Sequence, residues 1–188
     1  MPVVKRYATY EDLEAVPDTM VAELIEGDLI TSPRPASPHA RATTVIGATL
    51  VGSFDGPRCG DTPGGWWILF EPELHFGKNV LVPDIAGWRR DRMPTLPNVA
   101  AFTQAPDWIC ETLSPSTGAI DRGRKMRIYA REAVDHLWIV DPLARTLEVY
   151  RLDGERWIVA STHGGNDPIA AEPFDAVTLD PSRWWLET

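Results

Sequence analysis

Asp84, Glu111 and Lys125 lie at positions where metal-assisted phosphate chemistry would need them. Asp84 falls in the apolar run 79–88 and Glu111 in the apolar run 108–113, and both runs have the pattern of strands. Lys125 follows on a predicted helix. A carboxylate inside an apolar strand is costly unless a partner compensates it, and a bound cation is one such partner. Two carboxylates and an ammonium could hold a divalent cation, orient water and neutralise a pentavalent phosphate.

The spacing of these residues indicates how they could meet. Side chains alternate between the two faces of a strand, so Asp84 and Glu111 can project from the same face of a sheet if their strands are neighbours. Lys125 shares a helix face with Tyr129, four residues further on, which we expect to pack in the core. Asp121 stands at the start of the same helix, and we interpret it as an N-cap.

Three segments are predicted to be helices. Thr9, with acidic residues two and three positions later, is expected to cap a short first helix. Ser37 is expected to cap a second helix, 38–54, with Pro38 as its first residue. The third helix is predicted over 121–131, directly after the run that carries the second carboxylate.

Strands account for most of the remaining regular structure. Residues 21–31 predict a hairpin that turns at Gly27, where a positive φ is tolerated. The other strand-like runs are 66–70, 73–76, 80–88 and 108–113, followed by a closing antiparallel meander of 136–140, 146–152 and 156–161. Strands combined with two periodic helices predict an α/β (α+β) fold, a mixed central sheet flanked by helices, in which the Asp84 and Glu111 strands are neighbours.

Length and composition predict a single domain over residues 1–188. The chain is 44% hydrophobic, which suits one sizeable core better than two. No apolar stretch approaches the length of a membrane span, and the N-terminus does not have the pattern of a signal peptide. Cys59 and Cys110 lie far apart without a CxxC spacing. A disulfide scaffold or zinc knuckle is therefore not expected, and a reducing cytoplasm is the expected location.

The overall charge limits how the chain could meet a nucleic acid. A net charge of −9 and a pI near 4.9 argue against tight coating of nucleic acid through counterion release. An enzyme could still contact DNA through a local basic patch, and positive charge is clustered in two segments that flank the carboxylate runs. These clusters either contact phosphate or are solvated faces. Their members are Arg89, Arg90 and Arg92 in one, and Arg122, Arg124, Lys125, Arg127 and Arg131 in the other.

Seven motifs occur in a characteristic order along the chain. They are AELIEGDLI, PRPASPHA, VPDIAGW, ICETLSPST, DRGRKMRIYA, VDHLWIVDP and LEVYRL. In this succession the chain resembles the Uma-two family of restriction-endonuclease-like proteins, within the PD-(D/E)XK nuclease superfamily. The resemblance covers roughly residues 9–152, and it rests on the ordered set because no single motif is specific.

The resemblance implies roles for the three residues considered first. Asp84 matches the motif's aspartate and Glu111 its second acid, which together would hold Mg²⁺ or Mn²⁺. The superfamily's usual lysine would stand two residues after Glu111, where this chain has Leu113. In the family this lysine is thought to have moved to the following helix, and Lys125 matches that position. The implied restriction-endonuclease-like fold is the mixed α+β arrangement already expected.

Further expectations concern the substrate and the assembly. The resemblance implies that an acidic residue on the early hairpin takes part, matching Glu23, and that a histidine opens the next helix, matching His39. Arg122, Arg124 and His39 are the residues we expect near the substrate phosphate. The expected function is metal-dependent hydrolysis of phosphodiester bonds, with DNA as partner. A homodimer is also expected, because eight tryptophans suggest more apolar surface than one core hides and the resemblance points the same way.

Other interpretations of the same residues stay open. Glu111 and Lys125 could form a structural salt bridge, which sequence does not distinguish from a metal site. Glu23 could be a solvated hairpin residue, and His39 could be structural. The chain could then be a catalytically inactive dimeric domain of the same fold that acts as an interaction module. A glycosidase is a second alternative, because paired acids also suffice there, although Lys125 would have no role in it.

Overall fold

The structure, a computed structural model, describes residues 7–60 and 62–186. Its helices are α1 (Tyr10–Glu14), α2 (Ser37–Phe54), α3 (Gly118–Ile120) and α4 (Met126–Arg131). A π-helical turn, Asp121–Lys125, joins α3 to α4, and a 3₁₀ turn spans Pro181–Arg183. The strands are β1 (Met20–Ile25), β2 (Asp28–Pro33), β3 (Trp66–Phe70), β4 (Glu73–Phe76), β5 (Asn79–Leu81), β6 (Ile85–Arg89), β7 (Ala101–Phe102), β8 (Trp108–Thr112), β9 (His136–Asp141), β10 (Thr146–Asp153) and β11 (Arg156–Gly164).

Over the described ranges the strands form two mixed sheets, where the sequence predicted one central sheet. The larger sheet has the order β11-β10-β9-β8-β6-β3 and the smaller one the order β2-β1-β5-β4-β7. Strands β8 and β9 pair in parallel, so the helical segment 118–131 serves as the crossover between them. Strands β9, β10 and β11 form the predicted antiparallel meander. The expected α+β class is therefore confirmed.

The predicted strand 80–88 is divided between the two sheets. Strand β5 ends at Leu81 in the smaller sheet, and β6 begins at Ile85 in the larger one. Pro83 lies between them, and because proline has no N–H to donate, it interrupts a ladder of backbone hydrogen bonds. The prediction that Asp84 lies within a strand is therefore wrong. The predicted neighbours are confirmed, because Ile85 of β6 pairs with Cys110 of β8.

The first hairpin forms as predicted and carries Glu23 on β1. Its two turn residues, Glu26 and Gly27, have φ angles of 54° and 85°, as in the primed turns that match the twist of paired strands. The other edge of β1 pairs with β5, where Leu24 lies opposite Val80. This pairing brings Glu23 to the end of β5, close to the link between the two sheets.

The two N-terminal helices begin differently. Thr9 caps α1 with the predicted capping box, which Asp12 completes. The prediction that Ser37 caps α2 is wrong, because Ser37 is already the first helical residue. Ala36 occupies the cap position without a side-chain hydrogen bond. Pro38 is tolerated one position later than predicted, since the N–H groups of the whole first turn have no partner inside the helix.

Hydrophobic clusters cover both faces of the larger sheet in the part of the chain that is described. Trp108 and Cys110 on β8 face the cluster that contains α2, whereas Ile109 between them faces the cluster that contains α4. The six tryptophans buried in these clusters are Trp66, Trp88, Trp108, Trp138, Trp184 and Trp185. The tryptophans therefore do not indicate a large exposed apolar surface, contrary to the argument from their number. Among the described helices, none has the length and apolarity needed to cross a bilayer.

Candidate active site

Asp84 lies where the chain enters the larger sheet, and two groups hold its carboxylate. One oxygen, Oδ2, accepts a hydrogen bond from the backbone N–H of Thr112 at 2.7 Å. The other, Oδ1, lies 3.2 Å from Nε2 of His39 in the first turn of α2. Burial lowers the pKa of His39, but the hydrogen bond and charge of Asp84 raise it more, so the net shift is upward. His39, expected near the substrate phosphate, is therefore a partner of Asp84.

Glu111 projects from β8 towards the helical segment 118–131. Its Oε1 accepts a 2.5 Å hydrogen bond from the hydroxyl of Tyr129 and lies 3.0 Å from Nζ of Lys125. Burial raises the pKa of Glu111 well above its usual range, against the opposing charge of Lys125. Nearby carboxylates, including that of Asp84, raise this pKa further. Additional positive charge in the pocket would therefore stabilise the ionised form of Glu111.

Lys125 occupies the end of the π-helical turn, and its side chain is 4% exposed. Its Nζ lies 2.9 Å from Glu23, 3.0 Å from Glu111 and 3.4 Å from Asp121. Burial lowers the pKa of Lys125, but the charges of Glu111 and Glu23 raise it well above its usual range. Lys125 is therefore protonated at neutral pH. π-Helical turns are rare overall, but those that occur are often found at functional sites. The position of this turn fits that tendency.

Glu23 joins the smaller sheet to this cluster. Its Oε1 accepts a 2.8 Å hydrogen bond from the backbone N–H of Val82, which is the first residue after β5. The same oxygen lies 2.9 Å from Nζ of Lys125. Glu23 is buried, so the alternative of a solvated hairpin residue is wrong. Its carboxylate holds Lys125 and the end of β5 together.

These side chains line one small pocket between the two sheets and the helical segment. Four acids that are buried or half-buried, Glu23, Asp84, Glu111 and Asp121, line the pocket together with His39 and Lys125. Glu71, which also lines it, is exposed and pairs with Arg34. Hydroxyl groups also line the pocket, from Ser32, Ser114, Ser116 and Thr117. A buried excess of negative charge is costly, and binding of a divalent cation would offset it. The hard oxygen donors and the charge surplus fit Mg²⁺ or Mn²⁺.

The ligand set for such an ion is small. Among the described residues, no three Asp, Glu, His or Cys side chains are arranged so that they could hold a metal ion together. Three of the acids, Glu23, Glu111 and Asp121, form ion pairs with Lys125. Mg²⁺ is usually bound through one or two carboxylates, with water and substrate phosphate as its other ligands, so Asp84 and Glu111 would suffice.

Arg122 and Arg124 do not line the pocket. The guanidinium of Arg122 is held by both oxygens of Glu148 on β10, at 2.6 and 3.0 Å. Arg124 lies 3.1 Å from the carboxylates of both Glu26 and Asp28 in the first hairpin. Both guanidinium groups are paired with acids outside the pocket, so these two arginines do not present free positive charge to it.

Two residues at the site make contacts that the sequence did not predict. Asp121 is not an N-cap, because helix α3 begins three residues earlier and places the Asp121 carboxylate in the pocket. Its spacing of four from Lys125 was the available signal. Tyr129 is packed in the core as expected, but its hydroxyl also donates to Glu111. The shared helix face of Lys125 and Tyr129 was predicted, whereas this hydrogen bond was not.

Comparisons with known proteins give a family and a fold. The sequence model of the Uma2 family, described as "Putative restriction endonuclease", matches residues 7–182. A crystal structure of "a putative nuclease belonging to DUF820" from Anabaena variabilis ATCC 29413 matches with a TM-score of 0.73. The match covers 94% of this chain and 97% of that chain, at 22% sequence identity, which shows a common fold. No curated protein matches the sequence.

Proposed function

This chain belongs to the Uma2 family, as its ordered motifs predict, and we propose that it is a metal-dependent endonuclease that hydrolyses phosphodiester bonds in DNA. The observation that carries the proposal is the convergence of Asp84, Glu111 and Lys125 on one pocket. These residues come from the link between the sheets, from β8 and from the π-helical turn. Their meeting in a buried, acidic pocket suits metal-assisted phosphate chemistry better than it suits packing alone.

Asp84 and Glu111 would hold the ion, Mg²⁺ or Mn²⁺. When bound, it would polarise a phosphoryl oxygen and lower the pKa of a bound water. The carboxylate of Asp84 is preorganised for this role, because the backbone N–H of Thr112 orients one of its oxygens. The carboxylate of Glu111 is preorganised as well, because Tyr129 and Lys125 orient its Oε1. Such hydrogen bonds to ligands fix their orientation.

Lys125 would act as a charged donor. Its pKa is raised well above the usual range by Glu111 and Glu23 despite the opposing effect of burial, so it does not readily give up its proton to serve as a base. A protonated amine beside Glu111 can orient the attacking water or neutralise charge that develops on the phosphate. Glu23 also pairs with Lys125, at 2.9 Å. Glu23 would act mainly through Lys125, and it could also reach the ion through a water.

The size of the pocket favours a polymeric substrate that lies across its opening. Its volume of about 70 Å³ is far below the ~300 Å³ or more of pockets that enclose a small-molecule ligand. A nucleic-acid backbone could present one phosphate to such a pocket while the bases stay outside. The hydroxyl groups of Ser114, Ser116 and Thr117 in the lining could donate hydrogen bonds to that phosphate.

Contact of Arg122 and Arg124 with a flanking phosphate remains part of the proposal. In this structure both are paired, Arg122 with Glu148 and Arg124 with Glu26. Arg122 would have to exchange its two bonds to Glu148, and Arg124 its pairs with Glu26 and Asp28, for phosphate oxygens. Because these pairs are only partly exposed, the phosphate would have to offer comparable charge-assisted hydrogen bonds in return.

We also propose a cytoplasmic homodimer. The support is the outer strand β11, which forms one edge of the larger sheet and exposes Ile158 and Val159 at 42% and 55%. An exposed edge strand with apolar side chains is suited to pairing with another chain. Cys59 and Cys110 are both free, which fits a reducing compartment. Light scattering at micromolar concentration would contradict the dimer if it gave the mass of a single chain.

A second candidate is a catalytically inactive domain of the same fold. The observation that favours it is the set of ion pairs between Lys125 and three acids, which satisfies these groups without a metal ion. A buried network of this kind can be structural. In that case the pocket would have no affinity for divalent ions.

One experiment separates the two candidates. The purified protein would be titrated with MnCl₂ or MgCl₂ by calorimetry and incubated with plasmid DNA, single-stranded DNA or RNA, with and without EDTA. The proposed function predicts saturable binding, and cleavage of DNA that EDTA abolishes. If no binding occurs and none of the three substrates is cleaved with either ion, the inactive-domain candidate is correct.

A further inference from the structure

We propose that Tyr129 is a positioning residue for the reaction, acting through Glu111. The proposal rests on the proposed function, because it takes Glu111 to be a ligand of the ion. Tyr129 lies in α4, one helical turn after Lys125, and both residues reach the same carboxylate. It would fix the direction in which Glu111 presents its second oxygen to the pocket.

The contact geometry supports this role. The Tyr129 hydroxyl donates to Oε1 of Glu111 at 2.5 Å, and Nζ of Lys125 lies 3.0 Å from the same atom. With both donors on Oε1, Oε2 is the oxygen better placed to bind a cation. Hydrogen bonds from outside the ligand shell commonly orient a ligand in this way, and removing one typically lowers metal affinity or activity by about 10–100-fold.

The packing of Tyr129 makes its hydroxyl a fixed donor. The residue is completely buried, and its ring belongs to the same hydrophobic cluster as Ile109 and Ile128. A buried ring held on all sides keeps its hydroxyl in one place. Packing alone would need the ring and not the oxygen, so the polar contact with Glu111 is a feature that packing does not explain.

The chain offers a matched control for the loss of one hydroxyl. Tyr10 in α1 also donates to a glutamate, Oε1 of Glu73, at 2.9 Å. Neither Tyr10 nor Glu73 lines the pocket. Tyr10→Phe therefore removes a tyrosine–glutamate hydrogen bond that has no part in the proposed reaction.

The test compares Tyr129→Phe, Tyr10→Phe and the wild type by Mn²⁺ titration, by kcat and KM for DNA at saturating Mn²⁺, and by urea unfolding. The phenylalanine keeps the ring and its contacts, so a folded protein is expected. The inference predicts that Tyr129→Phe binds Mn²⁺ on the order of tenfold more weakly and has a lower kcat, with KM within about twofold. Tyr10→Phe should match the wild type in Mn²⁺ affinity and in kcat.

The outcomes separate this inference from the proposed function. If the wild type binds Mn²⁺ and cleaves DNA, and folded Tyr129→Phe equals it in affinity and kcat, Tyr129 is merely structural and the inference is wrong. A lower unfolding midpoint of Tyr129→Phe would not by itself support the inference. If the wild type itself neither binds Mn²⁺ nor cleaves, the proposed function fails and the inference fails with it.

Discussion

The carboxylate of Asp84 accepts a 2.7 Å hydrogen bond from the backbone N–H of Thr112, 28 residues further along the chain. This bond connects the link between the two sheets to the end of β8, next to Glu111. It explains how Asp84 is held beside Glu111 although Pro83 has broken the strand that was predicted to carry it. Backbone atoms move less than side chains, so the bond also gives one oxygen of Asp84 a fixed direction.

Asp84→Ala should abolish Mn²⁺ binding and DNA cleavage together, because it removes one of the two proposed ligands. It also leaves the buried N–H of Thr112 without its acceptor, which costs about 1–3 kcal/mol of stability. Calorimetry, a plasmid-cleavage assay and urea unfolding measure the three effects. Asp175→Ala, at an exposed position, is the control and should change none of them. Cleavage by Asp84→Ala at the wild-type rate would contradict the site.

Glu111→Gln should weaken Mn²⁺ affinity by about tenfold or more, because a neutral amide keeps the shape of the side chain and loses its charge. The Lys125 ammonium also loses one of its three acidic partners, so a lower midpoint of urea unfolding is expected. The matched control is Glu73→Gln, which changes a glutamate that accepts a tyrosine hydroxyl away from the pocket. Equal Mn²⁺ affinities for the two variants would show that Glu111 is not a ligand.

Lys125→Ala should leave Mn²⁺ binding nearly intact and slow turnover on the order of 10²-fold or more, about 3 kcal/mol of transition-state stabilisation. It also removes the charge that three buried acids share, and breaking a buried ion pair typically costs about 3–5 kcal/mol of stability. Rates are therefore compared per folded molecule, with exposed Lys78→Ala as the control. A wild type that cleaves no nucleic acid, together with a Lys125→Ala variant that unfolds, would establish the structural ion pair.

Local patterns in the sequence predict much of this fold because they act over a few residues. Alternation places the closing meander, and Gly27 marks the first hairpin turn. The division of the strands into two sheets was missed, although Pro83 was its signal. A proline between two apolar runs marks a break in the ladder, whereas the sheet that each half joins depends on distant partners.

The site was predictable to a similar extent. Asp84, Glu111, Lys125 and Glu23, which the motifs singled out, line one pocket, and their roles in catalysis stay predictions. The pairing of Arg122 with Glu148 was not predictable, because the two residues lie 26 positions apart on different elements. Local spacing shows that positive charge is clustered, but it does not show which acids from elsewhere in the chain will neutralise it.

His39 provides a prediction about the pH dependence of stability. Its pKa in the folded protein is raised, because the hydrogen bond and charge of Asp84 outweigh burial, which acts in the opposite direction. The folded state therefore binds this proton more tightly than the unfolded state does, where the pKa is about 6.5. The stabilisation is fully present below that pKa and is lost as the pH rises through the higher folded value.

The wild type should consequently exceed His39→Gln in unfolding free energy by more at pH 5.5 than at pH 9, in the absence of divalent ions. Urea unfolding of both proteins at several pH values measures this difference. His163→Gln is the control, because His163 lies on β11 and its Nε2 contacts the hydroxyl of Ser161 instead of an acid. The opposite trend, with His39 contributing more at high pH, would mean that the neutral imidazole is the form that the fold favours. In that case burial, and not the pairing with Asp84, would determine the protonation of this histidine.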